Sequence, residues 1–364
     1  MDLTNLIQSI FSDQLVLVVA GFLFAFIVTW LGIPSVVRIA TIKCLYDLPG
    51  DRTSHEVPTP RLGGAMIFAG VILSSVLFTS LSNAYELKFI IAGMIVLFFI
   101  GVKDDVISLH PLKKAVGQLF AALIIVFAGN IRLSCSYGIF GLEELPYLAS
   151  VLLTVFVIMF LINSINFIDG IDGLAAGIGI IVSSGFGLWY FLNYQLSYSV
   201  MSFALTGSLI AFFHYNVFSK KYKIFLGDTG SMLIGFLLAV QTIHFLELAS
   251  ETETLTGNAL GPSLAIAILF VPIFDTLRIC IIRILNGKSI FQGDNNHVHH
   301  RVLRFTGSHL KATLTILSIN LALVALTYLL GFLGNATIII GLVILGVIFS
   351  ILLGTDIKDR NNPA

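Results

Sequence analysis

"YLASVLLTVFVIMFLINSINFIDGIDGLAAGIGIIVSSGFGLWYFLN", residues 147–193, holds two apolar runs flanking one short polar insert. Each run has the roughly twenty residues that a helix needs to cross a bilayer. Outward from this pair the pattern recurs. Eleven spans are expected, at about 15–37, 63–82, 88–102, 113–129, 147–166, 173–193, 197–214, 228–247, 262–284, 311–331 and 335–353. Composition agrees: 57% of the 364 residues are hydrophobic, 11% are charged, and the mean hydropathy is +0.98. A soluble domain of this size does not expose so little charge, so the reading is an all-α polytopic membrane protein, one integral domain over 1–364.

A formal net charge of zero argues against nucleic acid as a partner. Cys44, Cys135 and Cys280 show no paired spacing, so neither a disulfide framework nor a thiolate metal site is suggested. Asp2 and Asp13 precede any Lys or Arg, the wrong charge for a cleaved signal peptide, and the first run is expected to be retained. Orientation follows from the basic residues. With the N-terminus outside and the C-terminus in the cytoplasm, only Lys88 and Arg132 of the 20 Lys and Arg fall away from cytoplasmic segments.

The polar residues that could do chemistry gather in the same cytoplasmic segments, so the active site is expected on that face. In "GVKDD" the adjacent Asp104 and Asp105 end the third span, where paired carboxylates call for a cation or a perturbed pKa; a solvated helix end is the bland alternative. Lys114 could hold a lipid phosphate at headgroup depth, or could simply mark topology. Asn163, Asn166, Asp169 and Asp172 recur every three residues, which on a helix makes one polar stripe. That stripe could also be a structural seam. In "FLGDTGS" Asp228 opens a span, where a helix N-terminus suits phosphate and a carboxylate suits Mg²⁺, although an N-cap Asp is equally ordinary there. Phe225 could stack on a base. Arg52 and His55 lie in a Pro/Gly-rich loop too charged for a random linker.

"DNNHVHHRV", residues 294–302, completes the set with Asp294, His297, His299, His300 and Arg301, and Arg283 lies just upstream. Its i, i+2, i+3 histidine spacing does not match a helical zinc-protease pair, and no Cys is near. Guanidinium and imidazole groups beside lipid suit a sugar pyrophosphate. Oxygen ligands surrounded by Lys, Arg and His point to Mg²⁺, or Mn²⁺, and to phosphate chemistry.

Taken in order, "DLPGDRTSHEVPTPRLGG", "GVKDD", "NSINFIDGIDGLAAG", "FLGDTGS", "PIFDTLRICIIRI" and "DNNHVHHRV" resemble the polyprenyl-phosphate N-acetylhexosamine-1-phosphate transferases over about residues 30–310. Two further helices at 311–353 and a cytoplasmic tail at 354–364 follow. The resemblance implies transfer of a sugar 1-phosphate from a UDP-N-acetylhexosamine to undecaprenyl phosphate at the bacterial inner membrane, with release of UMP. It implies Asp172 and Asp228 on Mg²⁺, Asp104 and Asp105 orienting or deprotonating the lipid phosphate, and Lys114 as its countercharge. Asn163, Asn166 and Asn216 would line the nucleotide pocket with Phe225 against uracil, and Arg283 and the His297–Arg301 loop would grip sugar and pyrophosphate. Arg52, His55, Asp169 and Asp294 are expected among the substrate-binding residues. The H-x-H-H form resembles the branch that begins O-antigen, common antigen, teichoic acid or capsule chains, with UDP-GlcNAc as default donor. A relative using UDP-MurNAc-pentapeptide differs in this loop. A homodimer is left open. Two other classes are weaker: an aspartyl protease lacks the first Gly of its motif, since Phe225 and Leu226 precede Gly227, and a transporter would carry its polar groups at the midplane.

Overall fold

The computed structural model describes residues 13–43, 45–47, 59–79, 85–135, 137, 144–251, 260–287 and 297–352. The first apolar run forms α1 (Gln14–Ile42), and two-residue strands β1 (Tyr46–Asp47) and β2 (Thr59–Pro60) pair antiparallel after it. Then come α2 (Gly63–Phe78), α3 (Leu87–Ile107), α4 (Pro111–Leu123, finishing in a π turn to Ala128), α5 (Tyr147–Ile168), α6 (Leu174–Leu192), α7 (Leu196–Val217) and α8 (Gly227–Glu251). Helices α9 (Gly261–Ile268), α10 (Phe270–Leu285), α11 (Val298–Thr306), α12 (His309–Leu329) and α13 (Asn335–Leu352) complete the described chain.

Among the described residues, eight helices are long and apolar enough to cross a membrane, or nine if α9 and α10 count as one bent span. Eleven were expected. Two of those, at 63–82 and 88–102, fall in α2, which is only 16 residues long, and in α3, which carries Lys88, Lys103, Asp104 and Asp105. Burial separates the centre of the bundle from its rim. In α8 and α7, 78% and 72% of the apolar window is buried, against 28% in α1 and α12 and 22% in α13. Helix α8 is therefore the central post, apolar nearly all round, and α1, α12 and α13 leave much of their surface exposed.

The ninth expected span, 262–284, is not continuous. It bends by 74° between α9 and α10. Pro272 has no N–H to give the Ile268 carbonyl, and its ring would clash with that group in an unbroken helix. The released carbonyl instead accepts from Asn320 Nδ2 of α12 at 3.1 Å. The expected stripe of Asn163, Asn166, Asp169 and Asp172 on one helix is likewise cut short. Helix α5 ends at Ile168 with Asp169 as its C-cap, so Asp172 lies in the turn before α6.

The N-termini of α2 and α8 are fastened together, and this joint builds the site. The Phe225 N–H donates to Pro60 C=O at 2.7 Å, while Gly63 and Gly64 donate to the carbonyls of Phe225 and Leu226 at 3.0 Å each. Two amides that α2 leaves unpaired at its start are satisfied in this way. The approach is so close that a Cβ on Gly64 would sit 2.1 Å from the Gly230 nitrogen. Overpacking of this kind typically costs ~1–3 kcal/mol. Gly64→Ala is expected to lower the thermal unfolding midpoint in detergent, and an unchanged midpoint would refute the close packing.

Candidate active site

Asp228 stands where it does because Gly227 turns the chain. Gly227 has φ +73°, and a Cβ there would lie 2.0 Å from the Arg61 carbonyl oxygen and 2.8 Å from both carboxylate oxygens of Asp105. The turn ends the short ladder at 225–226 and starts α8, leaving its first amides free. Asp105, at the end of α3, takes them. Its Oδ1 accepts from Asp228 N–H at 2.7 Å, and its Oδ2 accepts from Thr229 N–H at 3.1 Å and Thr229 Oγ1 at 2.5 Å. A carboxylate from another helix thus does the work of an N-cap and complements the positive end of α8. Asp104 meets a cation instead. Its Oδ2 lies 3.3 Å from Lys114 Nζ, and Lys114 also pairs with Asp228. The two neighbouring acids, alike in sequence, therefore have different surroundings.

Asp172 is held by Lys223, whose Nζ is 2.6 Å from Oδ2, and the His309 ring lies beside it, with Nδ1 3.8 Å from the same oxygen. Lys223 Nζ also lies 5.8 Å from the centre of the Phe225 ring, within cation–π range. Asp169 connects the acids. Burial drives its carboxyl well above the usual carboxylate range, the nearby charges of Asp228, Asp172 and Asp105 push it further, and Arg61 opposes them. A carboxyl so placed would be relieved by a cation, and the donor set is all oxygen, which fits Mg²⁺ or Mn²⁺.

The three asparagines are occupied. Asn163 Nδ2 donates to Gln118 Oε1 at 2.9 Å and to Met159 C=O at 2.7 Å, joining α5 to α4. Asn166 Oδ1 accepts from Ser231 Oγ at 2.8 Å, joining α5 to α8. Buried Asn216 accepts from Gly173 N–H at 2.6 Å and donates to Ile224 C=O at 2.9 Å. Both ends of its amide serve to tie the Asp169–Gly173 turn to the segment that carries Phe225.

His297, His299 and Arg301 are buried on and beside the start of α11, and Arg283 is buried at the end of α10 with its guanidinium 5.8 Å from the Phe167 ring. Asp275 of α10 organises the histidines. Its Oδ2 is 3.1 Å from His297 Nδ1 and 3.2 Å from His299 Nδ1, and its Oδ1 accepts from Val298 N–H at 2.8 Å. One ligand atom from each of Asp275, His297 and His299 falls within a 4.8 Å cluster, a set that could hold a metal softer than Mg²⁺. The same contacts are those of a carboxylate orienting two imidazoles. His299 Nε2 faces Gly170, where a Cβ would sit 2.5 Å from it, so the histidine segment rests directly on the turn bearing Asp169 and Asp172. Burial lowers the pKa of His299, and burial with neighbouring imidazoles lowers that of His300 to about 3. Near neutral pH both are uncharged. Arg52, His55 and Asp294 lie outside the described residues.

Sequence reasoning missed Lys223, Gln118, His309 and Thr313. The first was visible as one of three lysines at 220–223, where topology explained it well enough. The others gave no local signal, because their partners are distant in sequence.

A family model described as glycosyl transferase family 4 matches residues 87–246, which include Asp104, Asp105, Lys114, the Asn163–Asp172 segment, Asn216 and Asp228. The decaprenyl-phosphate N-acetylglucosaminephosphotransferase of Mycobacterium leprae (strain TN) is 35% identical over 292 residues, covering 74% of this chain and 72% of the relative. The probable undecaprenyl-phosphate N-acetylglucosaminyl 1-phosphate transferase of Bacillus subtilis (strain 168) is 32% identical over 330 residues, covering 90% and 86%. The undecaprenyl-phosphate alpha-N-acetylglucosaminyl 1-phosphate transferase of Escherichia coli O157:H7 is 29% identical over 292 residues, covering 78% and 77%.

Proposed function

The chain belongs to glycosyl transferase family 4, among its polyprenyl-phosphate N-acetylhexosamine-1-phosphate transferases, and on that premise we propose that it transfers N-acetylglucosamine 1-phosphate from UDP-GlcNAc to undecaprenyl phosphate. The products are UMP and undecaprenyl-pyrophosphate-GlcNAc. The observation that carries this reading is Lys114, set between Asp104 and Asp228 beside a cluster of acids that a divalent cation would relieve.

An oxygen of the lipid phosphate attacks the β-phosphorus of the donor directly. A new P–O bond forms there, the bond from the β-phosphorus to the bridging oxygen breaks, and UMP leaves with that oxygen and the electron pair. Such a reaction needs positioning and charge neutralisation more than covalent help. Mg²⁺, or Mn²⁺, held by Asp172 and Asp228 with Asp169 alongside, would supply neutralisation of the pyrophosphate. Lys114 is the countercharge for the lipid phosphate. Asp105, with both oxygens engaged by the first turn of α8, holds Asp228 in place. Phe225 takes the uracil face, and Arg283 and Arg301 take the pyrophosphate, with His299 and His300 as neutral hydrogen-bonding groups on the sugar side and His297 beside them. In this reading the site end of the bundle faces the cytoplasm, the N-terminus is outside, and the enzyme starts a cell-envelope glycan in the inner membrane of a bacterium.

The test is chemical. Purified protein given UDP-GlcNAc, undecaprenyl phosphate and Mg²⁺ is expected to release UMP, and excess EDTA is expected to stop the release until Mg²⁺ is restored. Release that continued unchanged in EDTA would contradict the metal assignment.

A further inference from the structure

Helix α12 lies beyond the residues that the family model matches, yet its first two turns take hold of the residue proposed as a metal ligand. The Asp172 backbone N–H donates to His309 Nδ1 at 3.2 Å. Thr313 Oγ1, fully buried, donates to the Asp172 carbonyl oxygen at 2.8 Å. His309 and Thr313 are four residues apart, so they share one face of α12, one turn above the other. Both polar groups of a single residue's backbone are thus held by one face of one helix. Gripping N–H and C=O together fixes the direction in which the Cα presents its side chain, here the carboxylate of Asp172. The tautomer follows from the contact. An Nδ1 that accepts an amide hydrogen must carry its lone pair there, which leaves the ring proton on Nε2.

We propose that His309 and Thr313 are positioning residues that aim the Asp172 carboxylate at a bound divalent cation, so that the helix after the histidine segment is part of the metal site's supporting shell. The proposal rests on the reading of Asp172 as a metal ligand. It gives α12 a role that a bilayer-spanning segment does not otherwise have, and it explains why a turn as short as residues 169–173 can hold two acids in fixed relation without lying in a helix. Groups that orient a ligand in this way typically contribute 10–100-fold to metal affinity.

Mn²⁺ binding tests this without turnover. Full-length protein in detergent is titrated with Mn²⁺ and the free ion is read by electron paramagnetic resonance, for the parent, Asp172→Asn, Thr313→Val, His309→Leu, the double variant Thr313→Val/His309→Leu, and His309→Asn. Valine keeps the shape of threonine, and Asn can place an acceptor oxygen where the imidazole Nδ1 sits. The double variant is expected to bind Mn²⁺ at least roughly tenfold more weakly, with the Mg²⁺ needed for half-maximal activity rising in step. His309→Asn is expected to recover most of the loss seen in His309→Leu. If the buried Thr313→Val change unfolds the protein, the half-exposed His309 pair of variants carries the test alone. Unchanged Mn²⁺ binding in the His309→Leu and double variants, with weakened binding in Asp172→Asn, would overturn the positioning role and leave Asp172 as a ligand. Unchanged binding in Asp172→Asn would overturn both.

Discussion

Asp228→Ala is expected to reduce UMP release by roughly a thousandfold, the upper end of what removing one charge-stabilising group costs in a preorganised site. Three losses coincide at this position. The oxygen ligand proposed for the cation disappears, Lys114 loses a partner that it contacts directly, and the cluster around Asp169 loses a member. Asp228→Asn keeps the size of the side chain and the backbone contacts with Asp105, so it separates charge from shape. It is expected to be nearly as inactive as Asp228→Ala while unfolding at the parent temperature. Activity within tenfold of the parent in either variant, read as UMP per enzyme over time, would remove Asp228 from the metal site.

Asp105→Asn is expected to show the second large effect, and for a different reason. The carboxylate accepts three hydrogen bonds from Asp228 and Thr229 and donates none. An amide offers one acceptor oxygen and turns an NH₂ group toward donors, so at least one amide of α8 loses its partner. An unsatisfied buried donor costs about 1–3 kcal/mol. The start of α8 shifts with it, and a displacement on the order of 1 Å in a positioning element can cost ~100-fold in rate. Asp105→Asn should therefore lower both kcat and thermal stability, whereas Asp228→Asn should lower kcat alone. If Asp105→Asn were inactive yet as stable as the parent, Asp105 would be acting on substrate and not through α8.

Much of this was legible in the sequence, because apolar runs and polar inserts are local signals. The helices follow the expected spans closely, and the residues drawn to one end of the bundle include most of the segments singled out by their acids and amides. The departures have physical causes. The bend at Leu269 comes from Pro272 together with an acceptor satisfied by Asn320, some fifty residues away. A period-three polar pattern suggested that Asp172 continued a helix that in fact ends at Ile168. Asn216 and Asn163, expected to line the nucleotide pocket, also hold backbone and helix–helix contacts that no local signal announced, because an amide in an apolar bundle is costly unless paired. Thr313 sat in what reads as an ordinary span and His309 just before it, and only the three-dimensional path of the turn at 169–173 brings them to Asp172.

The assignment of Asp275 changes how the histidine segment is understood. A charged clamp would need imidazolium rings, but burial keeps His299 and His300 neutral and Asp275 fixes the orientation of His297 and His299 from behind. Neutral rings fit hydrogen bonding to a sugar, and the buried guanidiniums of Arg283 and Arg301 fit the pyrophosphate.

The central claim is that the group transferred is a sugar phosphate and that the bond broken lies between the two phosphorus atoms of the donor. Its most direct test uses UDP-GlcNAc labelled with radioactive phosphate at the β-phosphorus, with undecaprenyl phosphate and Mg²⁺. The expected result is label in the organic-extractable lipid, in equal amount to unlabelled UMP in the aqueous phase. Label recovered in the aqueous phase as UDP, with unlabelled sugar on the lipid, would contradict it.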